Sequence, residues 1–451
     1  MTATRTGSGV DDAATEGTRA PRQGLRWQSP GSWWPLWVLT VGMPLLYLTG
    51  FHGLAWSLPG IVFGIQVVAM RMWFPPRAGL LLLFCGWALL SATLLPPTEY
   101  PLFAYRWLIF AGTLTALIWV INHPERLLST ARLVSWLAAL WITMIAFGYL
   151  ALVFPAFDAR SPFQTLTGPL GRIQFIVDIS GWRFAEFQTG QDVSLPRPAA
   201  PFAFANSWGA GLGVLTPFFI RSWLVDVATQ RRRIGIALLV AAVPPVMASG
   251  NRGVWISISA ASAYWVVRRA AQRDLRPLAL LVGVIAVVAV FFFATPAGEL
   301  VSDRLATSER STDGRASIYD QTWQGSLESP LLGHGKPEAI PGTTLPPMGT
   351  HGLVWYLMYV HGFVGLALFG TWLISEVVAS GRSIRTQGAW WVHLSLVIAL
   401  VQVLYYGMQP QIVLVGVAAG IAYRERARVA ERAEPRSTVG AGEIGAVGPS
   451  P

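Results

Sequence analysis

About twelve apolar segments, most of them long enough to cross a lipid bilayer, follow one another along this chain of 451 residues. A spanning helix needs roughly 20 apolar residues, within a range of about 17–25. Backbone polar groups find no partner in lipid, so such segments must form helices. The segments lie near 34–51, 54–70, 78–95, 102–121, 133–154, 201–220, 234–249, 253–267, 277–295, 351–375, 388–407 and 410–423. They predict an all-α polytopic membrane protein that is embedded in the lipid bilayer.

The composition agrees with a chain that is mostly dissolved in lipid. Only 12% of the residues are charged and 53% are hydrophobic, whereas a soluble domain carries about 25% charged residues. Cys85 is the only cysteine, which excludes an intrachain disulfide and a cysteine metal site.

The polar stretches divide the chain into three predicted regions. Residues 1–30 and 433–451 are polar, rich in small residues, and predicted to be disordered cytoplasmic termini. The bundle between them, 31–432, carries two long loops, 155–200 and 296–350. We predict that both loops are external and that the second contains an amphipathic helix.

The basic residues predict the orientation of the bundle. With twelve spans both termini lie on one side, and that side holds 23 of the 33 Lys and Arg residues. Short loops rich in Lys and Arg face the cytoplasm. The net charge of +10 is therefore a membrane-topology signal, and it excludes nucleic acid as the expected partner.

Arg252 departs from this pattern. It lies in the turn "MASGNRGVWI" (247–256), between two apolar segments of about 15 residues that contain no acid. Segments of that length reach roughly 22 Å, less than the hydrocarbon core of about 30 Å, which predicts a turn recessed below the outer surface. An unpaired arginine at such a depth usually marks a functional site. We expect Arg252 to meet either an anionic ligand or a carboxylate from a loop.

Two other external stretches carry residues suited to the same site. Arg197 and Asn206 precede or open the sixth segment. Arg315, Tyr319 and Trp323 follow at intervals of four, which places them on one stripe of the amphipathic helix. Thr312 or Asp313 is expected to cap that helix, and Ser329-Pro330 to end it. The two aromatic residues are equally compatible with simple packing against the bundle.

Two histidines follow in "THGLVWYLMYVHGFVGLAL" (350–368). His351 lies at the predicted outer boundary, where an imidazole can exchange a proton near neutral pH, although a helix-terminal polar cap is the simpler alternative. His361 lies about 15 Å deeper, and we expect it to be a packed, hydrogen-bonded neutral ring.

These histidines and the glycines after them resemble a family signature. His351 and Gly352, nine positions, then Gly362, Gly365 and Leu368 are similar to the signature of the O-antigen ligase and polymerase superfamily, membrane glycosyltransferases of the GT-C type. Gly352 departs from the family pattern, in which Asn, Ser or Gln is usual.

Three further stretches resemble the same family in the same order. They are "RPAAPFAFANSWG" (197–209), "SGNRGVW" (249–255) and the segment from Arg315 to Gly335. With the histidine motif they cover a ligase-like core of about 195–370.

The resemblance implies that a glycan is transferred from a polyprenyl-diphosphate carrier to a glycolipid, cell-wall glycan or protein acceptor. Transfer would take place on the outer face of the bacterial cytoplasmic membrane, with inversion, and with no metal, nucleotide sugar or other cofactor. The planar, permanently charged guanidinium suits a diphosphate.

We expect particular side chains to divide this work. Arg197, Arg252 and Arg315 would hold the diphosphate, while His351 would act as general base or bind the diphosphate. Asn206, Tyr319 and Trp323 would orient sugars or loops, and Glu186 and Asp313 are reserve candidates for the base.

Three alternatives remain at the level of sequence. A polysaccharide polymerase of the same superfamily differs only in its acceptor, a second carrier-linked glycan. A transporter of anions or lipid-linked glycans would also place arginines in the membrane, but it needs access from both sides, and no charged pair lies deep in the apolar segments. A membrane scaffold would depend on no single arginine.

Overall fold

The computed structural model describes residues 33–187, 196–279, 281–283, 285–286, 308–343, 345–384 and 386–433. Residues 1–30 and 434–451 of the two predicted disordered termini, and most of the predicted ninth span, lie outside these residues, whereas Ala433 ends the last helix. The helices are α1 (Trp34–Thr40), α2 (Met43–Thr49), α3 (Leu58–Ala69), α4 (Ala78–Ser91), α5 (Tyr100–Asn122), α6 (Thr130–Val153), α7 (Pro162–Leu166), α8 (Gln174–Ser180), α9 (Ala205–Trp223), α10 (Thr229–Ser249), α11 (Arg252–Ala270), α12 (Ser308–Glu328), α13 (Leu353–Arg382), α14 (Gln387–Gln402) and α15 (Ile412–Ala433).

Short extended segments appear in the first long loop. Antiparallel strands β1 (Asp158–Ala159) and β2 (Trp182–Arg183) pair with each other. Strands β3 (Ala185–Phe187) and β4 (Pro196–Pro198) form a second antiparallel pair, in which Glu186 lies opposite Arg197. This second pair delivers Arg197 to the bundle.

The helices pack into one apolar core. Helix α5 packs against α3, α4 and α15, while α9 packs against α6 and α14, and α13 against α4 and α14. Indole rings join neighbouring helices, because a buried Trp N–H needs an acceptor. Trp208 donates to the carbonyl of Met144 at 3.1 Å and Trp141 donates to Thr216 Oγ1 at 3.1 Å, and both pairs join α6 to α9.

The prediction of a helical membrane protein is confirmed at this level. Four helices in the described part of the chain are long and apolar enough to span a membrane. Two more, Leu54–Ala69 and Ala78–Leu94, are apolar but shorter. The four long helices are Pro97–Asn122, Thr130–Val153, Thr229–Ser249 and Leu353–Arg382. The total of twelve spans stays a prediction.

Two predicted segments differ from the structure. The segment 34–51 is divided between α1 and α2, because Pro44 at the start of α2 has no amide hydrogen to continue a helical ladder. Helices α10 and α11 contain 21 and 19 residues, about 31 and 28 Å of helix. The prediction of two segments of about 15 residues is therefore wrong, and helix length gives no reason for a recessed turn.

A break in α13 positions the second long loop. Gly362 has φ 71° and ψ 178° inside this helix, which leaves main-chain groups around it without helical partners. The segment 330–335 bonds to them. Phe363 N donates to Pro330 O at 2.8 Å, and His334 N donates to Tyr359 O at 2.9 Å. A Cβ atom on Gly362 would overlap the carbonyl oxygen of Leu331, so the signature glycine is required by this close approach.

Candidate active site

Several segments that are distant in sequence meet at one end of the bundle. We call the site end the region formed by β4, the turn 250–251, the start of α13 and the connection 403–411. Tyr405 donates to Gly253 O at 2.8 Å, and Leu353 N donates to Tyr406 O at 2.7 Å. These bonds join the start of α11 and the start of α13 to the same connection.

Arg197 joins three helices at the site end. Its Nε donates to the carbonyl of Ser249 at 2.8 Å, and its Nη2 donates to Asn206 Oδ1 at 3.0 Å and to Asn251 Oδ1 at 2.9 Å. All three acceptors are neutral, so these bonds leave the positive charge uncancelled. Burial lowers the pKa of Arg197, the charge of Arg315 acts in the same direction, and Glu186 opposes them.

Arg252 is the first residue of α11 and is exposed. Its guanidinium forms no hydrogen bond or ion pair with the residues that the structure describes. The preceding residue, Asn251, is buried; it accepts from Arg197 and donates to Ala205 O at 2.8 Å. The turn is therefore fixed while the arginine side chain is free. The positive end of the α11 dipole adds to its charge, a combination that favours an anion.

Helix α12 lies along α13 and carries Arg315. The Tyr319 ring stacks on Trp355 with centroids 4.6 Å apart, and Trp323 meets Phe363 edge-on at 5.8 Å. The predicted stripe is confirmed, and its two aromatic residues pack against the bundle. The helix begins at Ser308, so the prediction of a cap at Thr312 or Asp313 is wrong, whereas the predicted end before Ser329 is confirmed.

Arg315 is exposed and forms no ion pair within the described residues. Its charge nevertheless acts on Arg197 and on His351, where it contributes to a lower pKa in each case. Because such an effect requires proximity, Arg197, Arg315 and His351 belong to one electrostatic neighbourhood.

His351 is half-buried just before α13. Burial, with the charge of Arg315 second, holds the pKa of its imidazole below the usual range. Thr350 Oγ1 donates to Pro347 O at 2.6 Å and lies 3.1 Å from His351 Nδ1. Since the threonine proton is used, Nδ1 must carry the imidazole proton in this contact. Nε2 is then the basic nitrogen.

The departure of Gly352 from the family pattern has a structural reason. Its φ is 122°, in a region that L side chains rarely adopt. A Cβ atom there would also meet the carbonyl of Leu404. Glycine therefore brings the start of α13 close to the connection 403–411, where Asn, Ser or Gln would not fit without rearrangement.

His361 and Glu186 have local structural partners. His361 is buried and shares a hydrogen bond of 3.2 Å with Ser91 Oγ, which confirms the expected packed ring. The carboxylate of Glu186 accepts from Ala205 N at 2.7 Å, at the start of α9. That bond makes Glu186 a weaker candidate for the base. The side chain of Asp313 lies outside the described residues.

Arginines at the opposite end of the bundle contrast with Arg252 and Arg315. Most of those that contact other described residues through their guanidinium are held by carboxylates. The ion pairs are Arg221–Glu425 at 2.8 Å, Arg426–Glu376 at 3.1 Å, Arg424–Glu125 at 3.6 Å, and Arg428–Glu125 and Arg269–Asp274. Near the site end, Lys336 pairs with Glu99 at 2.8 Å. Within the described residues, Arg252 and Arg315 thus have no acid partner, whereas these other basic residues do.

The sequence did not predict that Asn251 and Tyr406 take part in the candidate site. Asn251 directly precedes Arg252 in the turn 247–256, but nothing in its spacing indicates that it accepts a hydrogen bond from Arg197. Tyr406 lies at the end of the eleventh apolar segment and belongs to no motif, yet its hydroxyl is close enough to Arg197 and Arg315 to interact with their charges. Both contacts depend on chain segments that are far apart in sequence.

The fold and this end of the bundle define a helical membrane protein with a cationic site of uncancelled arginines beside a histidine. Residues 235–370, less than a third of the chain, match the family model of the O-antigen ligases. The match supports the predicted resemblance to the O-antigen ligase and polymerase superfamily over this part of the chain. The match includes Arg252, Arg315 and His351, and Arg197 lies outside it. A comparison with curated proteins gives no significant match.

Proposed function

We propose that this protein transfers a glycan from a polyprenyl-diphosphate carrier to an acceptor at the outer face of the bacterial cytoplasmic membrane. The family match supports a glycosyltransferase of ligase or polymerase type. The observation that carries the finer proposal is the absence of acid partners, within the described residues, for Arg252 and Arg315 beside the neutrally held Arg197. A diphosphate supplies the missing negative charge.

In the proposed reaction, an acceptor hydroxyl oxygen attacks the anomeric carbon of the carrier-linked sugar. The new carbon–oxygen bond forms as the bond to the diphosphate breaks, and the configuration inverts. The leaving diphosphate takes the electron pair, and Arg252 and Arg315 stabilise its charge. Such donors act strongly because they are already oriented in a site of low dielectric constant. The reaction as written needs no metal ion or other cofactor.

His351 is proposed as the group that takes the acceptor proton. Its Nδ1 donates to Thr350 Oγ1, so Nε2 is free to accept. The lowered pKa keeps the imidazole neutral near pH 7, and a neutral ring is what a general base requires. Its proximity to Arg315 also permits contact with the diphosphate, which is the alternative role.

Arg197 is proposed to position the site as well as to contribute charge. Two of its nitrogen atoms are used by Ser249, Asn206 and Asn251. Asn206 therefore orients Arg197 rather than a sugar. Tyr319 and Trp323 fix α12 against α13, and thereby hold Arg315 near the site.

The orientation rests on the distribution of the arginines. Both termini would be cytoplasmic, and the site end would face outward, where carrier-linked glycans are used. The histidine motif favours a ligase. A polymerase remains the alternative, since a match to this superfamily applies to both.

The test is transfer by the purified protein in lipid nanodiscs. The donor is a radiolabelled polyprenyl-diphosphate oligosaccharide, and separated envelope lipids, glycans and proteins serve as acceptors. We expect label to move to one fraction with the wild type and to be strongly reduced with Arg252→Ala and with His351→Ala. Arg172→Ala is the matched control, because Arg172 is exposed in the first long loop. Undiminished transfer by both site variants would contradict the proposal.

A further inference from the structure

A second arginine without an acid partner lies inside the bundle, away from the site just described. Arg106 belongs to α5, six residues after the helix begins, which is about 9 Å along its axis. It forms no ion pair with any residue in the described part of the chain. A guanidinium at such a position is costly unless an anion or a polar cavity receives it.

The face of α5 that carries Arg106 points to α13. Phe103 and Phe110, three residues before and four after it, both place their rings near His361, with centroids 6.3 and 6.2 Å apart. Arg106 also lies beside the hydroxyl of Tyr356, one turn into α13. Although it faces the interior, Arg106 remains partly exposed. The side chain is therefore still accessible where α5 faces α13.

A buried hydrogen-bond donor lies close to Arg106. The amide nitrogen Nε2 of Gln409 is buried and makes no hydrogen bond of normal geometry with the described residues. Gln409 and Arg106 both lie beside the Tyr356 hydroxyl, so the connection 403–411 reaches the side of α13 that Arg106 faces. Buried polar groups are normally satisfied. An amide donor next to a guanidinium that no acid neutralises suits a ligand with negative oxygen atoms.

This group is distinct from the Arg197–Arg315 site. Strand β4, which carries Arg197, packs against α6, α9 and α10, whereas α5 packs against α3, α4 and α15. Tyr406 lies between the two groups. Its hydroxyl feels the charges of Arg197 and Arg315, and its carbonyl accepts from Leu353, one turn before Tyr356. Two cationic centres thus share the site end without coinciding.

We propose that Arg106 and Gln409 form a second anion subsite, which binds the phosphate of a membrane-anchored acceptor. The inference rests on the proposed function, because glycosyl transfer requires a donor and an acceptor to be bound together. One phosphate-bearing lipid would occupy the Arg252–Arg315 side and the other the Arg106 side. The acceptor phosphate has two possible sources with the same chemistry, a second carrier-linked glycan or a phosphoglycolipid.

Counting bound lipids tests the proposal without catalysis. Native mass spectrometry is performed on the purified protein with polyprenyl diphosphate alone, and again with polyprenyl diphosphate and phosphatidylinositol together. We expect the wild type to bind two phosphate lipids and Arg106→Gln to bind one. Arg106→Lys, which keeps the charge, should retain two at reduced occupancy. Arg315→Gln should lose the other lipid, and Arg172→Gln is the control.

The identity of the second lipid distinguishes the two sources. Two polyprenyl diphosphates in the wild type support a carrier-linked acceptor, and one of each lipid supports a phosphoglycolipid. If Arg106→Gln binds as many lipids as the wild type, the second subsite is refuted while the proposed function stands. If the wild type binds no polyprenyl diphosphate, the proposed function itself fails.

A kinetic experiment separates binding from a merely structural role. Losing a hydrogen bond to a charged group weakens binding by about 10- to 100-fold. We therefore expect Arg106→Gln to raise the KM for the acceptor by that factor and to leave the KM for the donor unchanged. Gln409→Ala provides a milder second variant should Arg106→Gln fold poorly. A lower kcat with unchanged KM values for both donor and acceptor would overturn the assignment.

Discussion

Arg197 Nη2 donates a hydrogen bond to Asn251 Oδ1 at 2.9 Å, and so fixes the residue that immediately precedes Arg252. Arg197 comes from the strand β4, whereas Asn251 forms the turn between α10 and α11. The two arginines therefore have different roles. Arg197 donates to neutral acceptors and fixes the turn. Arg252 follows that turn, and its guanidinium has no partner among the described residues.

Replacing Arg197 should reduce stability as well as activity. Arg197→Ala removes three hydrogen bonds that join β4 to α9, α10 and the turn before α11. A hydrogen bond to a charged group contributes about 1.5–3 kcal/mol. The free energy of unfolding should therefore fall by at least about that much, measured by thermal or denaturant unfolding in a fixed detergent. A variant as stable as the wild type would show that these bonds do not hold the turn.

Replacing Arg252 or Arg315 should affect activity alone. Both side chains are exposed and form no bonds with the described residues, and surface changes of this kind alter stability by at most about 0.5 kcal/mol. The loss of one donor to a developing anion lowers kcat by about 10²–10³. Single-turnover rates of Arg252→Ala and Arg315→Ala, measured beside their melting temperatures, check both statements. A large drop in melting temperature would indicate a structural role instead.

The long apolar helices could be predicted from sequence because backbone polar groups find no partner in lipid and must form hydrogen bonds within a helix. The expected segment 102–121 corresponds to Tyr100–Asn122, and 133–154 corresponds to Thr130–Val153. Segments 234–249 and 253–267 were predicted too short, because hydropathy stops at charged residues while the helix continues. Arg231 to Arg233 and Arg268 to Arg269 are good helix formers and extend α10 and α11.

The candidate site was predictable only where residues that act together are also close in sequence. The turn of Arg252, the stripe of Arg315 and the motif of His351 are local patterns. The bond from Arg197 to Asn251 joins positions 54 residues apart, and the subsite of Arg106 needs α5, α13 and the connection 403–411 together. No spacing rule covers such long-range contacts, since they follow from how the helices pack.

The signature glycine Gly362 should be far less tolerant than a helical glycine eight residues later. Gly362→Ala would place a Cβ atom against the Leu331 carbonyl at a φ of 71°. Gly370 lies in the same helix, and no atom of the described residues lies within 4 Å of a Cβ atom there. A strained backbone conformation alone costs of order 1–3 kcal/mol. We expect a marked fall in melting temperature for Gly362→Ala.

Gly370→Ala is the matched control, and it should be neutral or slightly stabilising because alanine favours helices by about 1 kcal/mol over glycine. The loss at Gly362 should also weaken the attachment of segment 330–335, which bonds to α13 through Phe363 and His334. Hydrogen exchange of these two amides reports that attachment. Equal protection in wild type and Gly362→Ala would rule out this explanation of the motif.

The pH dependence of transfer should reveal the coupling between His351 and Arg315. Burial and the Arg315 charge hold the pKa of His351 below its ordinary value of about 6.5. Because the folded protein binds this proton less readily than the unfolded chain, the contribution to stability is complete above about pH 6.5. It is lost as the pH falls through the lower, folded value. Activity that needs a neutral ring follows the same direction, with an acid limb below about pH 6.5.

Removing the Arg315 charge should shift that limb. In Arg315→Gln one cause of the lowered pKa is gone, so the pKa of His351 rises and activity begins to fall at a higher pH as the solution is acidified. Burial still lowers the pKa, so the limb should remain below about pH 6.5. Rates of transfer across pH 4.5–8, roughly two units on the acid side of the ordinary histidine value, give both profiles. Arg172→Gln should keep the wild-type profile. If the acid limb lies at the same pH in Arg315→Gln and in the wild type, the Arg315 charge does not act on the group that titrates. His351 would then not be the general base of this site.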